Sequence, residues 1–210
     1  MDIEAEKIIK ELSKHYSGMT TALEYNNPFE LLIATMLSAQ STDQQVNKVT
    51  ARLFAKFPAP EHYLELTEDE LAENIKGVGL YRNKSKNILA AVKILIEKYG
   101  GQVPQDVESL MSLPGVGRKT ANVVLANAFN IPAFGVDTHI LRVANRLGLA
   151  NSRNPLKVEK QLTDLIPREK WAEAHHWLIW HGRKICHARK PKCNECFLVD
   201  LCPEIKRGKQ

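Results

Sequence analysis

Four cysteines stand close together near the end of the chain and are its clearest candidate for a metal site. They are Cys186, Cys193, Cys196 and Cys202, in the spacing Cys-x6-Cys-x2-Cys-x5-Cys, with Pro203 after the last. Clustered thiols indicate metal binding, because the disulfides of a secreted fold are usually dispersed along the chain. Four thiolates suit tetrahedral zinc as well as an iron–sulfur cluster. A zinc ribbon usually has two Cys-x2-Cys pairs and this chain has one, so the spacing by itself leaves both metals open.

The second candidate is a lysine that follows a glycine-rich turn, in the run Leu113-Pro114-Gly115-Val116-Gly117-Arg118-Lys119. Pro114 fixes one φ angle, and the two glycines permit backbone conformations and close approaches that a Cβ would block. We therefore predict a sharp turn between two helices, with the second helix beginning near Gly117. The N–H groups and positive dipole at such a helix start can bind a phosphate without reading base sequence. A Gly-x-Gly turn alone is weak support, because it is more often a helix C-cap.

Helices must position these residues, because apolar side chains recur at helical spacing along most of the chain. Three helix starts are marked by their residue types: Pro28, Pro155 and the capping-box order from Thr67 to Glu70. The pattern Gly-Val-Gly occurs twice, at 77–79 and at 115–117. We predict an all-α fold of about ten short helices joined by tight turns.

The bulk properties allow one domain or two small ones. The chain has 210 residues and a formal net charge of +5, which suits a polyanionic partner but is also common among proteins that bind none. No apolar run approaches the roughly 20 residues that span a bilayer, and the start Met1–Glu4 carries no signal-peptide pattern. These features predict a cytoplasmic protein without a membrane partner.

The nonapeptide 113–121 resembles the helix-hairpin-helix motif of the endonuclease III superfamily of DNA glycosylases. The resemblance covers essentially the whole chain: 27–32, 37–40, both glycine turns, Val136–His139 and the cysteine cluster. It implies two helical lobes, a central domain of 22–131 and an iron–sulfur domain that combines 1–21 with 132–210. By the same resemblance, DNA is expected to lie across the cleft between the lobes.

The essential lysine and aspartate of that superfamily match Lys119 and Asp137. An amine can attack C1′ of a nucleotide, and the resulting imine acidifies the C2′ proton and permits β-elimination of the 3′ phosphate. The pKa of the lysine must fall, or a neighbour must take its proton, and a helix dipole supplies only about 0.3–1 kcal/mol. Asp137 is the expected proton acceptor and stabiliser of positive charge on the sugar. A phosphate-contacting lysine and an N-cap aspartate are the plainer alternatives.

The cysteine spacing is similar to the [4Fe-4S] loop of the same superfamily, so the resemblance implies one [4Fe-4S] cluster. The loop between the first two cysteines carries Arg189, Lys190 and Lys192, which we expect to contact phosphates from a support that the metal makes rigid. Phosphate binding by the hairpin is assigned to Gly115, Val116, Gly117 and Arg118. Nothing requires the cluster to perform the glycosidic chemistry.

Extruding a damaged nucleotide leaves a hole in the duplex that an inserted side chain can fill. Gln40 and Leu80 match the loop positions that plug the duplex in the resembling superfamily, although ordinary packing would also explain them. Three basic residues follow Leu80 and are expected beside it: Arg82, Lys84 and Lys86. Weaker candidates for the base pocket are Ser38, Asp43 and His139.

The resemblance thus implies a bifunctional base-excision enzyme. We expect it to act as a monomer, because a single active site that faces one extruded nucleotide needs no partner subunit. Its substrate would be duplex DNA with an oxidised or ring-saturated pyrimidine, or with an abasic site, and it would lie at the nucleoid in a bacterium. A non-catalytic helix-hairpin-helix protein would have no need of Lys119 and Asp137. An iron–sulfur electron carrier would explain only the cysteines.

Overall fold

The computed structural model describes residues 3–206 and 208. Within them the chain forms eleven α-helices and no strand, with one isolated bridge between Lys76 and Val78. This confirms the all-α prediction. No helix in this part of the chain is long and apolar enough to cross a bilayer. The helices are α1 (Ile3–His15), α2 (Pro28–Leu37), α3 (Asp43–Lys56), α4 (Glu68–Asn74), α5 (Tyr81–Tyr99), α6 (Val107–Met111), α7 (Arg118–Ala128), α8 (Thr138–Arg146), α9 (Pro155–Leu165), α10 (Trp171–Lys184) and α11 (Pro203–Lys206).

The three helix starts marked in the sequence are confirmed. Asn27 caps α2 by accepting a hydrogen bond from the Glu30 N–H, and Pro28 is the first helical residue. Thr67 and Glu70 form a reciprocal capping box at α4, with the Thr67 N–H 2.8 Å from the Glu70 carboxylate. Eleven α-helices in the described residues agree with the prediction of about ten, and the last of them, α11, is a four-residue helix after the last cysteine.

The chain divides into two compact units. One contains the described residues of Met1–Thr20 and Pro132–Gln210, and the other contains Thr21–Ile131. Helices α2–α7 belong to the second unit, while α1 and α8–α11 belong to the first. Lys119 and the glycine turns therefore lie in one unit, and Asp137 and the cysteines lie in the other.

Helix α2 forms the centre of the unit 21–131. All of its residues from Phe29 to Leu37 are buried, as expected for a helix that other helices surround. It packs against α3, α5 and α7. The helix that carries Lys119 is thus held directly against the core of its unit.

The other unit has its core where α1, α8, α9 and α10 pack together, and α8 lies against both α9 and α10. Ile140 and Val143 of α8 are fully buried in this core. Gly182 of α10 permits a close approach, since a Cβ there would lie 3.0 Å from Cγ2 of Val143 and 3.1 Å from Cβ of His139. The packing fixes the start of α8, where Asp137 lies.

The two glycines of the turn 115–117 have different structural roles. Gly115 has a φ of +78°, and a Cβ there would lie 2.9 Å from Cβ of Asn87 and 3.2 Å from Cε of Met36. Gly117 has a φ of −92° and open space around the position of a Cβ. The expectation that both glycines serve unusual conformations is therefore correct for Gly115 only.

This difference predicts that Gly115→Ala destabilises the protein by about 1–3 kcal/mol, because the new methyl group meets both backbone strain and a steric clash. Gly117→Ala is the matched control, and its unfolding midpoint in urea should stay near that of the parent. Equal midpoints for the two variants would contradict this account of the turn.

Candidate functional site

In the hairpin between α6 and α7, the exposed residues of the turn are Gly115, Gly117 and Arg118. Gly117 is the N-cap of α7, and its carbonyl accepts the first helical hydrogen bond, from the Ala121 N–H at 2.9 Å. An α-helix leaves its first N–H groups without intrahelical acceptors, so the start of α7 can bind an anion. Val116 differs, because its side chain is buried and its N–H donates to the Leu113 carbonyl at 3.1 Å. It is the least available of the predicted phosphate contacts.

Lys119 is the second residue of α7 and is half-buried. Two residues of helix rise by about 3 Å, so its backbone lies within one turn of Gly117. The turn therefore determines the position of the predicted nucleophile together with that of the predicted phosphate-binding groups.

Asp137 caps α8, with Oδ1 accepting a hydrogen bond from the Ile140 N–H at 2.8 Å. The plainer alternative from the sequence is thus correct as a structural role. Capping occupies one carboxylate oxygen, and the second oxygen can still act on another group. The cap holds the carboxylate in place, which a chemical role also requires.

His139 is the second residue of α8 and lies against Gly182 of α10. Its Nδ1 is 3.3 Å from Nη2 of Arg142, which also donates to the Gly182 carbonyl at 3.0 Å. Burial is the main cause that lowers the pKa of His139; Asp137 acts in the opposite direction, while Arg142 and Arg183 lower it further. A neutral ring can accept a hydrogen bond from Arg142. The base-pocket role of His139 stays a prediction.

Ser38 and Asp43 lie at the ends of helices. Ser38 is the C-cap of α2, and its Oγ donates to the Thr35 carbonyl at 2.7 Å. Asp43 is the first residue of α3, next to the capping residue Thr42. Both are half-buried, and their predicted place in the base pocket also stays a prediction.

The two predicted plug residues share an unusual backbone conformation. Gln40 has a φ of +55° and Leu80 a φ of +56°, and both are exposed. Left-handed conformations of residues other than glycine cost about 1–3 kcal/mol and persist only where the surroundings hold them. The loops also touch, since the Gly79 N–H donates to Oγ of Ser41 at 2.9 Å. No residue type in the sequence indicated either the strain or the contact.

The basic residues that follow Leu80 do not form one surface. Arg82 and Lys86 are exposed, but Lys84 is buried, with its Nζ 2.8 Å from the Leu37 carbonyl. Helical spacing separates them, because Lys84 shares the buried face of α5 with Ile88 one turn later. Lys84 does lie beside Leu80, since its N–H donates to the Leu80 carbonyl at 3.0 Å, but its buried side chain adds no charge to the exposed surface.

The four cysteines line a single cavity of about 420 Å³ and are all unpaired and half-buried. In the described part of the chain, no three Cys, His, Asp or Glu side chains are arranged to hold one metal ion. The fit to a cofactor therefore depends on the cavity, which has room for several inorganic atoms among four thiolates. These residues fit an iron–sulfur cluster, whose ligands are cysteine thiolates.

Two arginines of α8 bind the cysteine loop. Arg146 donates to the His187 carbonyl at 2.7 Å, to the Ala188 carbonyl at 3.2 Å and to Sγ of Cys186 at 3.4 Å. Nε of Arg142 donates to the Cys186 carbonyl at 3.1 Å. Neither arginine was singled out in the sequence, because nothing in their spacing relates them to a loop about 40 residues later.

A buried histidine and tyrosine face the third cysteine. The ring of His181 has Nδ1 3.2 Å from the Tyr16 hydroxyl and Nε2 3.9 Å from Sγ of Cys196. Burial, and then the Cys196 thiolate, raise the pKa of Tyr16 to about 12, while burial, and then His15, lower the pKa of His181 to about 4. The tyrosine therefore keeps its proton and can donate it to Nδ1 of a neutral ring. Nε2–H of that ring then donates toward the sulfur.

The predicted cationic loop is exposed at Arg189, Lys190 and Lys192. Lys190 has a φ of +49°, and Nζ of Lys192 lies 3.5 Å from the carboxylate of Glu195. An exposed ion pair of this kind is worth at most about 1 kcal/mol, so it does not prevent Lys192 from meeting a phosphate.

Comparison with known proteins places these features in one family. A family model described as "HhH-GPD superfamily base excision DNA repair protein" matches residues 33–168, and one described as "Iron-sulfur binding domain of endonuclease III" matches residues 186–202. Endonuclease III of Bacillus subtilis (strain 168) is 52% identical over 190 residues, which cover 90% of this chain and 87% of that protein.

Two solved structures are similar to the whole chain. "Structure of a non-covalent Endonuclease III-DNA Complex" superposes with a TM-score of 0.94 at 47% identity and covers 100% of both chains. "Structure of a Trapped Endonuclease III-DNA Covalent Intermediate: Estranged-Adenine Complex" gives a TM-score of 0.93 at 47% identity and covers 98% of this chain and 99% of that one.

The fold, the hairpin and these matches define a base excision DNA repair enzyme of the HhH-GPD superfamily. Within that superfamily, the chain belongs to the endonuclease III family. It is a DNA glycosylase and AP lyase, and its residues 186–202 form the segment that binds an iron–sulfur cluster.

The contacts of Arg146 predict that Arg146→Gln weakens retention of the cluster. Loss of a residue that orients metal ligands typically costs about 10–100-fold in metal affinity, so the visible absorption should bleach about ten times faster with an iron chelator. Arg153→Gln is the matched control, because Arg153 is exposed and lies beyond the end of the same helix. Identical bleaching rates for the two variants would show that Arg146 does not support the loop.

Proposed function

We propose that this enzyme excises oxidised or ring-saturated pyrimidines from duplex DNA and then cleaves the strand at the abasic site through an imine with Lys119. The observation that carries the proposal is the place of Lys119 in the first turn of α7, directly after the Gly115–Gly117 turn. A helix start of this kind binds backbone phosphate. The amine is thereby brought to a sugar whose phosphate the same turn holds.

The proposed reaction begins when the free amine of Lys119 attacks C1′ of the damaged nucleotide. The base leaves with the electrons of the glycosidic bond and takes up a proton. The sugar ring then opens to an imine, the C2′ proton is removed, and the 3′ phosphate leaves by β-elimination. Asp137 accepts the proton of the lysine ammonium and stabilises positive charge on the sugar. Its second carboxylate oxygen can do this while the first caps α8.

DNA binding is assigned to groups that are exposed on each unit. In the unit 21–131 they are the backbone at Gly115, Gly117 and Arg118, with Val116 contributing less, and the plug residues Gln40 and Leu80. In the other unit they are Arg189, Lys190 and Lys192 of the cysteine loop. The base pocket is assigned to Ser38, Asp43 and His139.

The four cysteines are proposed to hold one [4Fe-4S] cluster. When bound, the cluster orders the loop 187–192 and so lowers the entropy cost of presenting its cations to DNA. We further propose that the two compact units are the domains predicted as 22–131 and as 1–21 with 132–210. The enzyme would act as a monomer on one extruded nucleotide, and in a bacterium it would lie at the nucleoid with its substrate.

Lys119→Gln should abolish covalent trapping to abasic DNA in the presence of borohydride, because an amide cannot form the imine. Base excision should fall by about 10³-fold or more, as is typical for loss of a nucleophile. The exposed Lys93→Gln serves as the control and should trap normally. Trapping by Lys119→Gln at the parental level would place the nucleophile at another amine.

Asp137→Asn separates the two roles of this residue. Asparagine caps helices as well as aspartate does, so the free energy of unfolding should change little. The amide cannot accept a proton, so single-turnover excision should fall by about 10²–10⁴-fold. Should excision stay at the parental rate, Asp137 would be a helix cap and nothing more.

A further inference from the structure

Lys84 has no part in the proposed chemistry, yet three oxygen atoms surround its ammonium. Nζ lies 2.8 Å from the Leu37 carbonyl, 2.6 Å from the Ala39 carbonyl and 3.4 Å from Oγ of Ser41. A lysine ammonium carries three protons, so each proton has an acceptor. The residue is only 7% exposed, which makes these contacts the whole of its polar environment that the structure describes.

The place of Lys84 suits a charged group. Leu37 is the last residue of α2, where carbonyl groups have no intrahelical donor and the helix dipole is negative. Burial lowers the pKa of Lys84, and hydrogen bonds to the charged form act in the opposite direction. A lysine in this position stabilises the end of α2 and the residues that follow it.

Lys84 is bonded to both loops that carry the proposed plug residues. Its side chain binds Ala39 and Ser41, which flank Gln40, while its backbone N–H donates to the Leu80 carbonyl at 3.0 Å. The loops also touch directly, since a Cβ on Gly79 would lie 2.8 Å from the Gln40 carbonyl oxygen. One residue therefore joins two loops that are 40 positions apart in the chain.

The backbone conformations of both plug residues need contacts from neighbouring residues to hold them. Gln40 and Leu80 are exposed and have left-handed backbone conformations. Such conformations of residues with a Cβ are held only by surrounding contacts. The contacts of Lys84 lie directly beside both strained residues.

We propose that Lys84 is a positioning residue for nucleotide extrusion: its ammonium holds the loop of Gln40 against the start of α5, which Leu80 precedes, so that Gln40 and Leu80 enter the duplex as one preset pair. This inference rests on the proposed function, in which those two side chains fill the space left by the extruded nucleotide. Preset groups lose less entropy on binding than groups that must be ordered. Lys84 thus acts on the DNA through the two loops and makes no contact with a phosphate.

The test compares Lys84→Met with Lys93→Met, an exposed lysine of the same helix. On a duplex with one ring-saturated thymine, Lys84→Met should lower the single-turnover excision rate about 10–100-fold, as expected for a misplaced positioning group. On a single-stranded oligonucleotide with an abasic site, borohydride trapping should stay within about twofold of the parent, because no duplex must be opened. Lys93→Met should match the parent on both substrates.

Three outcomes would overturn the proposal. Equal duplex rates for the two variants would show that Lys84 does not position the plug. Equal losses on both substrates by a variant with a parental melting temperature would indicate a general structural role. A salt dependence of duplex binding that is weaker by about one unit of log–log slope would indicate a phosphate contact instead.

Ser41→Ala is the second variant, and it tests the link between the two loops if Lys84→Met does not fold. It removes the hydroxyl between Lys84 and Gly79 and leaves the two carbonyl acceptors in place. A smaller loss that is again confined to the duplex substrate is expected. Excision at the parental rate in this variant would count against the link between the loops.

Leu80→Ala distinguishes failure of this inference from failure of the proposed function. A parental duplex rate in Leu80→Ala would reject the plug itself. A reduced rate in Leu80→Ala together with a parental rate in Lys84→Met would reject only the role of Lys84. If both are impaired, the double variant should lose little more than the worse single variant, because residues that act through one another are not additive.

Discussion

The structure depends above all on the close contact of the turn 114–117 with the helices beneath it. Gly115 has a left-handed backbone and no room for a Cβ beside Asn87 and Met36. That contact sets where α7 begins, and hence the position of Lys119 in its first turn. Because α7 packs on α2, whose residues from Phe29 to Leu37 are all buried, the backbone of the proposed nucleophile is held against the core.

Several residues of the candidate site serve first as helix caps. Asp137 caps α8, and Ser38 ends α2 beside the loop of Gln40. A cap holds its side chain with a backbone hydrogen bond, so it supplies a polar atom at a fixed place. The helix ends of this fold therefore provide both stability and chemical groups, and substitution by an equally good cap can separate the two.

Helix α8 connects Asp137 with the cysteine loop, which belongs to the same unit. Its first turn follows Asp137, and its last residue, Arg146, binds carbonyls and a sulfur of the cysteine loop. Arg142 between them binds the loop and α10 together. The guanidinium groups of Arg142 and Arg146 thus hold the cysteine loop without any help from a metal. A cluster in the cavity would add a second set of bonds, to the four cysteines.

The sequence by itself determined the helical class, the three helix starts, the hairpin and the grouping of the four cysteines, because each depends on residues close together in the chain. Only the tertiary structure decided that Lys84 is buried, that Gln40 and Leu80 are strained neighbours, and that Arg142 and Arg146 bind the cysteine loop. Those facts depend on contacts between residues about 40 positions apart. Local spacing predicts the face of a helix on which a side chain lies, but not which distant carbonyl it will meet.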